Sequence, residues 1–250
     1  MLSLLPNYKH WIGSYCKKQT GYPIGVQYIS DVITLVKDLG NQMPDKSWML
    51  YLLEYFDRYR NVPVELNLFC EFDGQVYFEA IFNGVNQGYR FKQIPPIIGH
   101  SYKREIITNP KDRGITYKLT DLTAGLTDSY VVNERNLNAG SNQQERDRLI
   151  KKIKKIKFEA ARHATCLEWH NRKEDLPFPI RYQVEISMLQ YGLDPDGISV
   201  SPYDSLTPYK DDRSKSYPVT FQDIGLKNNC ICYTINSGIS HDGTAYDIQE

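Results

Sequence analysis

From about Val62 onward the chain alternates short runs of apolar and β-branched residues with turn chemistry. The clearest unit is Val64 to Phe82, in which two such runs flank Asp73-Gly74. Asp-Gly between β-forming runs is a strong hairpin signal, because both central residues of the tightest turn take positive φ. Further strands are predicted at Tyr89–Ile94, Tyr102–Ile107, Ile115–Leu119, Ser129–Val132, Ala164–His170, Phe178–Leu189, Ile198–Ser201, Pro218–Ile224 and Asn229–Ile235. Phe178, Ile180, Tyr182, Val184, Ile186 and Met188 alternate with polar residues, the period of a strand with one buried face. Many short strands with turns between them predict a mainly β protein, an antiparallel two-sheet β-sandwich of jelly-roll or concanavalin-like shape.

The first sixty residues read less simply. Ser47 to Tyr59 begins with a helix N-cap residue type and has good helix formers, yet it carries aromatics that suit a strand. Gln27 to Leu39 divides the same way, and both lean towards strands because the chain downstream of them is rich in strand patterns. Residues 136–144 form a polar loop that leads into Glu145 to Phe158. There Leu149, Ile153 and Ile156 recur at helical spacing, with lysines on the other faces, so a short basic helical insertion is predicted within 136–158. The expected organisation is one domain over 1–250.

Composition narrows the function classes. Hydrophobic residues are 41% and charged residues 24% of the 250, the balance of a packed domain rather than of a disordered chain. Thirty basic and thirty acidic residues cancel, so no global field steers the molecule to nucleic acid or anionic lipid. Only Lys151, Lys152, Lys154 and Lys155 offer a local basic face for such a partner, and its simpler reading is a solvated helix surface. The start of the chain lacks the long apolar core of a signal peptide, and no run reaches membrane-spanning length. Five scattered cysteines without zinc spacing fit reduced thiols, so a cytoplasmic setting is expected, with no metal and no cofactor. Asp194-Pro195-Asp196-Gly197 looks like a fragment of a calcium loop but lacks the remaining ligands, and reads as a turn.

Two places carry candidate chemistry. With a two-residue turn at Asp73-Gly74, Leu68 faces Glu79, which then shares a face with Leu66 and Cys70. Burial there would raise the Glu79 pKa and suit a general acid. The opposite assignment buries Phe69 and Phe78 and leaves Glu79 in water; both faces carry apolar residues, so the pattern leaves the two open. In Thr165–His170, alternation puts Cys166, Glu168 and His170 on one face and Leu167 and Trp169 on the other. Glu168 and Glu79 are the candidate catalytic pair, and Trp169, His170 and Tyr77 the candidate ligand contacts. Nineteen tyrosines favour an aromatic binding surface for a protein or carbohydrate ligand.

Several segments, taken in order, resemble the glutamic peptidases (eqolisins), β-sandwiches of two antiparallel sheets. Tyr28–Ile33 and Trp48 stand where the family has an aromatic-x-x-Val strand and a Trp-led strand. Glu71-Phe72-Asp73 and Val76–Glu79 are similar to the next two strands of the family. Ile115–Tyr130 looks like the family's hairpin through Asn-Leu-Thr-Thr-Gly, Cys166–Glu168 like the strand of the catalytic Glu, and Leu176–Pro179 like a Pro-Phe stretch. The resemblance implies a sandwich with Glu168 as the water-activating residue. It departs at the catalytic Gln, whose place three residues before Phe72 is taken by Phe69, with Asn67 the nearest amide. Two functions are therefore expected in order: a non-enzymatic binding module for protein or glycan, then an acid hydrolase using Glu168 with Glu79.

Overall fold

The β-branched and aromatic runs form fifteen strands, and the basic insertion forms the one helix, among the residues that the computed structural model describes. These are 8–17, 23–38, 48–57, 63–71, 73–82, 88–109, 111, 114–135, 143–154, 160–171, 182–203, 205–210, 219–227 and 230–237. The strands are β1 (Tyr8–Lys17), β2 (Tyr28–Asp38), β3 (Trp48–Asp57), β4 (Pro63–Glu71), β5 (Val76–Phe82), β6 (Tyr89–Arg90), β7 (Ser101–Asn109), β8 (Gly114–Asp121), β9 (Leu126–Val132), β10 (Ala160–Asn171), β11 (Tyr182–Gly192), β12 (Val200–Pro202), β13 (Ser205–Lys210), β14 (Val219–Lys227) and β15 (Cys230–Ser237). The helix α1 spans Gln143–Ile153.

One sheet has the order β13-β1-β10-β3-β4-β5-β6, the other β14-β15-β11-β2-β7-β8-β9, and β12 pairs with β11. The expected antiparallel two-sheet sandwich is the architecture found. Both segments that leaned towards strands, β2 and β3, are strands, each at or beside the middle of its sheet. The core lies between the sheets, where Ile29, Ile33 and Leu35 of β2 meet Tyr51 and Leu53 of β3 and Val64, Leu66, Leu68 and Cys70 of β4 in one buried cluster. Leu149 and Ile153 of α1 belong to the same cluster, so the helix is amphipathic as its spacing predicts. Lys151 and Lys154 are exposed, and Lys154 lies 3.5 Å from Glu134. The Lys152 side chain, Lys155 and Ile156 lie outside the described residues.

An ion pair joins the two sheets through this core. Arg104 of β7 is fully buried and donates from Nε and Nη2 to Asp31 of β2 at 2.8 and 2.6 Å. Its Nη1 reaches the other sheet, donating to the carbonyls of Tyr51 at 2.6 Å and Leu66 at 3.1 Å. Burial pushes the Asp31 carboxyl up, and the Arg104 guanidinium works against that rise.

Two expectations are corrected by register. The turn between β4 and β5 is one residue longer than the two expected, since Glu71 N donates to Gln75 O at 2.9 Å and Gly74 takes φ 91°. Only Gly adopts that left-handed conformation without strain. The extra residue shifts the pairing by one, so Leu68 faces Phe78 and Asn67 faces Glu79. A one-residue shift exchanges faces. Glu79 therefore leaves the row of Leu66 and Cys70 and stands half-buried on the outer side with Phe69, while Phe78 enters the core. The second correction is in β11, where a bulge between Ser187 and Gln190 puts Met188 at φ 51°. Val184 and Ile186 are core residues as expected, but Leu189 and Tyr191, not Met188, continue the buried face.

Candidate functional site

The outer face of the seven-stranded sheet collects most of the candidate residues. In register, Glu168 of β10 faces Leu50 of β3, Leu50 faces Phe69 of β4, and Phe69 faces Tyr77 of β5. The adjacent row runs Cys166, Leu52, Asn67, Glu79 and Arg90. A third row places His170 opposite Trp48 and Trp48 opposite Glu71. Glu168, His170, Tyr77 and Glu79 thus share one face by backbone alternation. Trp169 does not: it faces Met49, which faces Cys70, a row that belongs to the core side.

Sharing a face is not the same as converging. At about 4.8 Å per strand, Glu168 and Glu79 are separated by three strand spacings, about 14 Å of backbone. Glu168 and Phe69 are two spacings apart in the same row, about 10 Å. Glu168 thus pairs with Leu50, and the residue two strands along the same row is the aromatic Phe69. Asn67, in the adjacent row, is fully buried with Nδ2 donating to Glu65 Oε2 at 2.9 Å.

Tyr77 is half-buried on this face and is the hub of its described contacts. Phe69 stacks on it from β4, with ring centroids 5.1 Å apart and planes 5° from parallel. From β6 the Arg90 guanidinium lies 3.6 Å over the same ring. The Tyr77 hydroxyl donates to Glu71 Oε1 at 2.6 Å, and Arg90 Nη2 reaches both the hydroxyl, at 2.7 Å, and Glu71, at 3.1 Å. Burial and the Glu71 carboxylate together push the Tyr77 hydroxyl well above its usual range, so it remains a neutral donor. Burial also raises the Glu79 carboxyl; Arg90 opposes the rise and Glu71 adds to it. The Glu79 carboxylate lies so close to Gly88 that a β-carbon there would overlap it. Leu50 and Leu52 are buried on this face and form a small apolar cluster with Phe69.

Sequence reasoning identified Glu79 and Tyr77 but missed Arg90, because a two-residue strand leaves no periodic signal. The alternation Glu65, Asn67, Phe69, Glu71 along β4 was the legible sign of an outer face with chemistry on it. Among the described residues no group of three or more His, Cys, Asp or Glu is placed to hold a metal ion. Asp194–Gly197 is a turn in which Asp196 accepts from the Ile198 N–H at 3.0 Å and Gly197, at φ 65°, packs against the Tyr28 ring. No described helix is long and apolar enough to cross a membrane.

No protein-family model and no curated protein sequence matches the chain. Solved structures do. Scytalido-glutamic peptidase with a transition state analog inhibitor superposes with a TM-score of 0.56 at 11% identity, over 92% of this chain and 98% of that one. The same peptidase with a peptide based transition state analog gives 0.54 at 10% identity, with the same coverages. SCP-B, a member of the eqolisin family of peptidases in a complex with the tripeptide Ala-Ile-His, gives 0.52 at 11% identity, again over 92% and 98%. The chain shares the eqolisin fold across nearly its whole length, as the sequence resemblance implies, at an identity that speaks for the fold alone.

Proposed function

We propose that this protein binds an extended polypeptide segment on the outer face of its seven-stranded sheet and does not cleave it. The observation that carries the reading is the row Glu168, Leu50, Phe69, Tyr77. A peptidase of this fold needs a donor opposite its carboxylate to stabilise the oxyanion, and such donors contribute several kcal/mol to the reaction barrier. Here that position holds Phe69, and the neighbouring Asn67 amide is buried and committed to Glu65. Glu79 stands three strands from Glu168, beyond the reach of one shared water.

Polypeptide is favoured over glycan by the state of Tyr77. Sugars stack on open ring faces, and this ring has Phe69 against it from one neighbouring strand and Arg90 from the other. A peptide needs only edges, apolar patches and hydrogen-bonding groups, and the half-buried Phe69, Glu71 and Tyr77 offer these on the outer face. Structures of the same fold were solved with a peptide based analog and with a tripeptide. The test is a fluorescence-anisotropy titration of labelled heptapeptide pools, followed by mass spectrometry of the pools after prolonged incubation. Saturable binding with intact peptides supports the reading. Cleavage that Glu168→Gln abolishes would establish the hydrolase instead.

A further inference from the structure

We infer that a cavity at one end of the eight-stranded sheet binds a small hydroxylated molecule carrying a phosphomonoester, which Lys111 and Arg135 hold between them. The site lies on the other sheet from the polypeptide face and does not depend on that reading.

The cavity has a volume of about 590 Å³ and is built where three strands end side by side. β7 ends at Asn109, β8 begins opposite it at Gly114, and β9 ends at Val132, opposite Ile115. Ile115, Tyr117 and Val132 are buried in the core. Thr116 and Val131, paired with each other, alternate to the other side and line the cavity, which therefore opens on the outer face of the sheet.

The two cations are placed by the same local device. Lys111 N donates to Asn109 Oδ1 at 3.1 Å, and Arg135 N donates to Asn133 Oδ1 at 2.8 Å. Each Asn turns the chain two residues before a cation, and the two turns flank β8. Asn109 pairs with Gly114, and the β8–β9 register carried one residue past Ile115 and Val132 sets Asn133 on its other side. Two strand spacings, about 10 Å, separate the turns, so two long side chains can close on one group lying over β8. Gly114, with no side chain, leaves the floor between them clear. Both cations are exposed and line the cavity, and among the described residues neither side chain has a hydrogen-bond or ion-pair partner.

Charge is concentrated here although the whole chain carries none. Glu134 is the one acid among the described lining residues, and Lys154, at the end of α1, stands 3.5 Å from its Oε2. Arg146 of α1 donates from Nη2 to the Arg135 carbonyl at 3.5 Å. Asp147 of α1 accepts from Gln143 Nε2 at 2.9 Å, within the helix. Four cations thus gather around one carboxylate, and the basic insertion supplies two of them.

Two cations without partners match a dianion better than a single carboxylate, and a phosphomonoester carries about −1.5 to −2 charges at neutral pH. The volume falls within the range of small-molecule sites, about 300–1,000 Å³, and exceeds what a bare anion fills. The rest of the lining is polar, with the amides of Asn109 and Asn133 and the Thr116 hydroxyl, and Val131 is its one large apolar side chain. Such walls suit a body that carries hydroxyls rather than an apolar one.

The experiment is a calorimetric titration of the full chain at low salt with the terminal phosphate esters of glycerol, ribose and glucose. Glucuronate, glucose and inorganic phosphate serve as comparisons. At least one ester binds saturably, about tenfold more tightly than glucuronate or inorganic phosphate, and glucose does not bind. Lys111→Met and Arg135→Met each weaken the ester about tenfold, the effect of losing one charge-assisted hydrogen bond. Lys92→Met, which removes an exposed cation outside the cavity, leaves binding unchanged. Absence of binding by every ester overturns the proposal. Binding that neither cavity substitution weakens overturns it too, because the anion then sits elsewhere. Inorganic phosphate or glucuronate binding as tightly as the esters also overturns it.

Discussion

Two groups of charged and polar residues lie about one sheet apart, and they are built in opposite ways. In the core, Arg104 and Asp31 are wholly removed from water, yet the guanidinium has four described acceptors within about 3 Å, two carboxylate oxygens and two backbone carbonyls. On the outer face of the seven-stranded sheet, Asn67 is just as buried and keeps an acceptor that no described residue satisfies. A compensated buried charge is an element of architecture: it fixes how the sheets meet and has nothing left to offer a ligand. A buried polar atom left without a partner is one that native folds keep few of. The difference separates the two groups more sharply than residue type does.

The largest expected effect comes from breaking the compensated side. Arg104→Met leaves Asp31 buried and unpaired and lowers unfolding free energy by about 3–5 kcal/mol, read by urea denaturation. Asp31→Leu together with Arg104→Met recovers most of that loss, because the pair as a unit contributes little net stability. A single variant as stable as the parent would show that the pair does not join the sheets.

Smaller effects sharpen the outer side. Tyr77→Phe removes the hydroxyl shared by Glu71 and Arg90 and costs about 1 kcal/mol by the same denaturation measurement. Asn67→Leu removes the orphan acceptor along with the donor to Glu65, and stability changes by less than about 1 kcal/mol despite full burial. A loss as large as that of Arg104→Met would mean that Asn67 is a structural residue after all.

The smallest effect is one of pH. Glu79 has its carboxyl raised by burial, with Arg90 opposing and Glu71 adding, so the folded chain holds its proton above the ordinary value of 4.5 while the unfolded chain has released it. Stability is therefore lost as pH rises through that window, and Glu79→Gln gains on the parent there and not below it. Glu105 has the opposite sign. Burial alone would raise it, but hydrogen bonds from Tyr28 and Lys103 and the charges of Lys103 and Lys118 hold it low, so its contribution is lost on acidification. Denaturation series across pH 3 to 7 separate the two, and a Glu79→Gln profile parallel to the parent's contradicts the assignment.

The strands were legible because alternation reports a buried face directly, as Val184 and Ile186 show. Register was less so. Asp73-Gly74 signals a hairpin but does not fix the length of its turn, and a shift of one residue in register puts Glu79 on the outer side rather than the core side. The bulge at Met188 changed phase for the same reason: an inserted residue leaves no mark in an apolar run. Alternation groups Glu168 with His170, while their backbone separation from Glu79 depends on strand order, which pairs β10 with β3 across about a hundred residues of sequence.

Binding without turnover is the claim on which the rest depends. Labelled heptapeptide pools incubated with the protein from pH 3 to 7, with binding read by anisotropy and integrity by mass spectrometry, test it in one experiment. Saturable binding is expected, with peptides that remain intact throughout that range. Cleavage products at acidic pH that disappear in Glu168→Gln would contradict it.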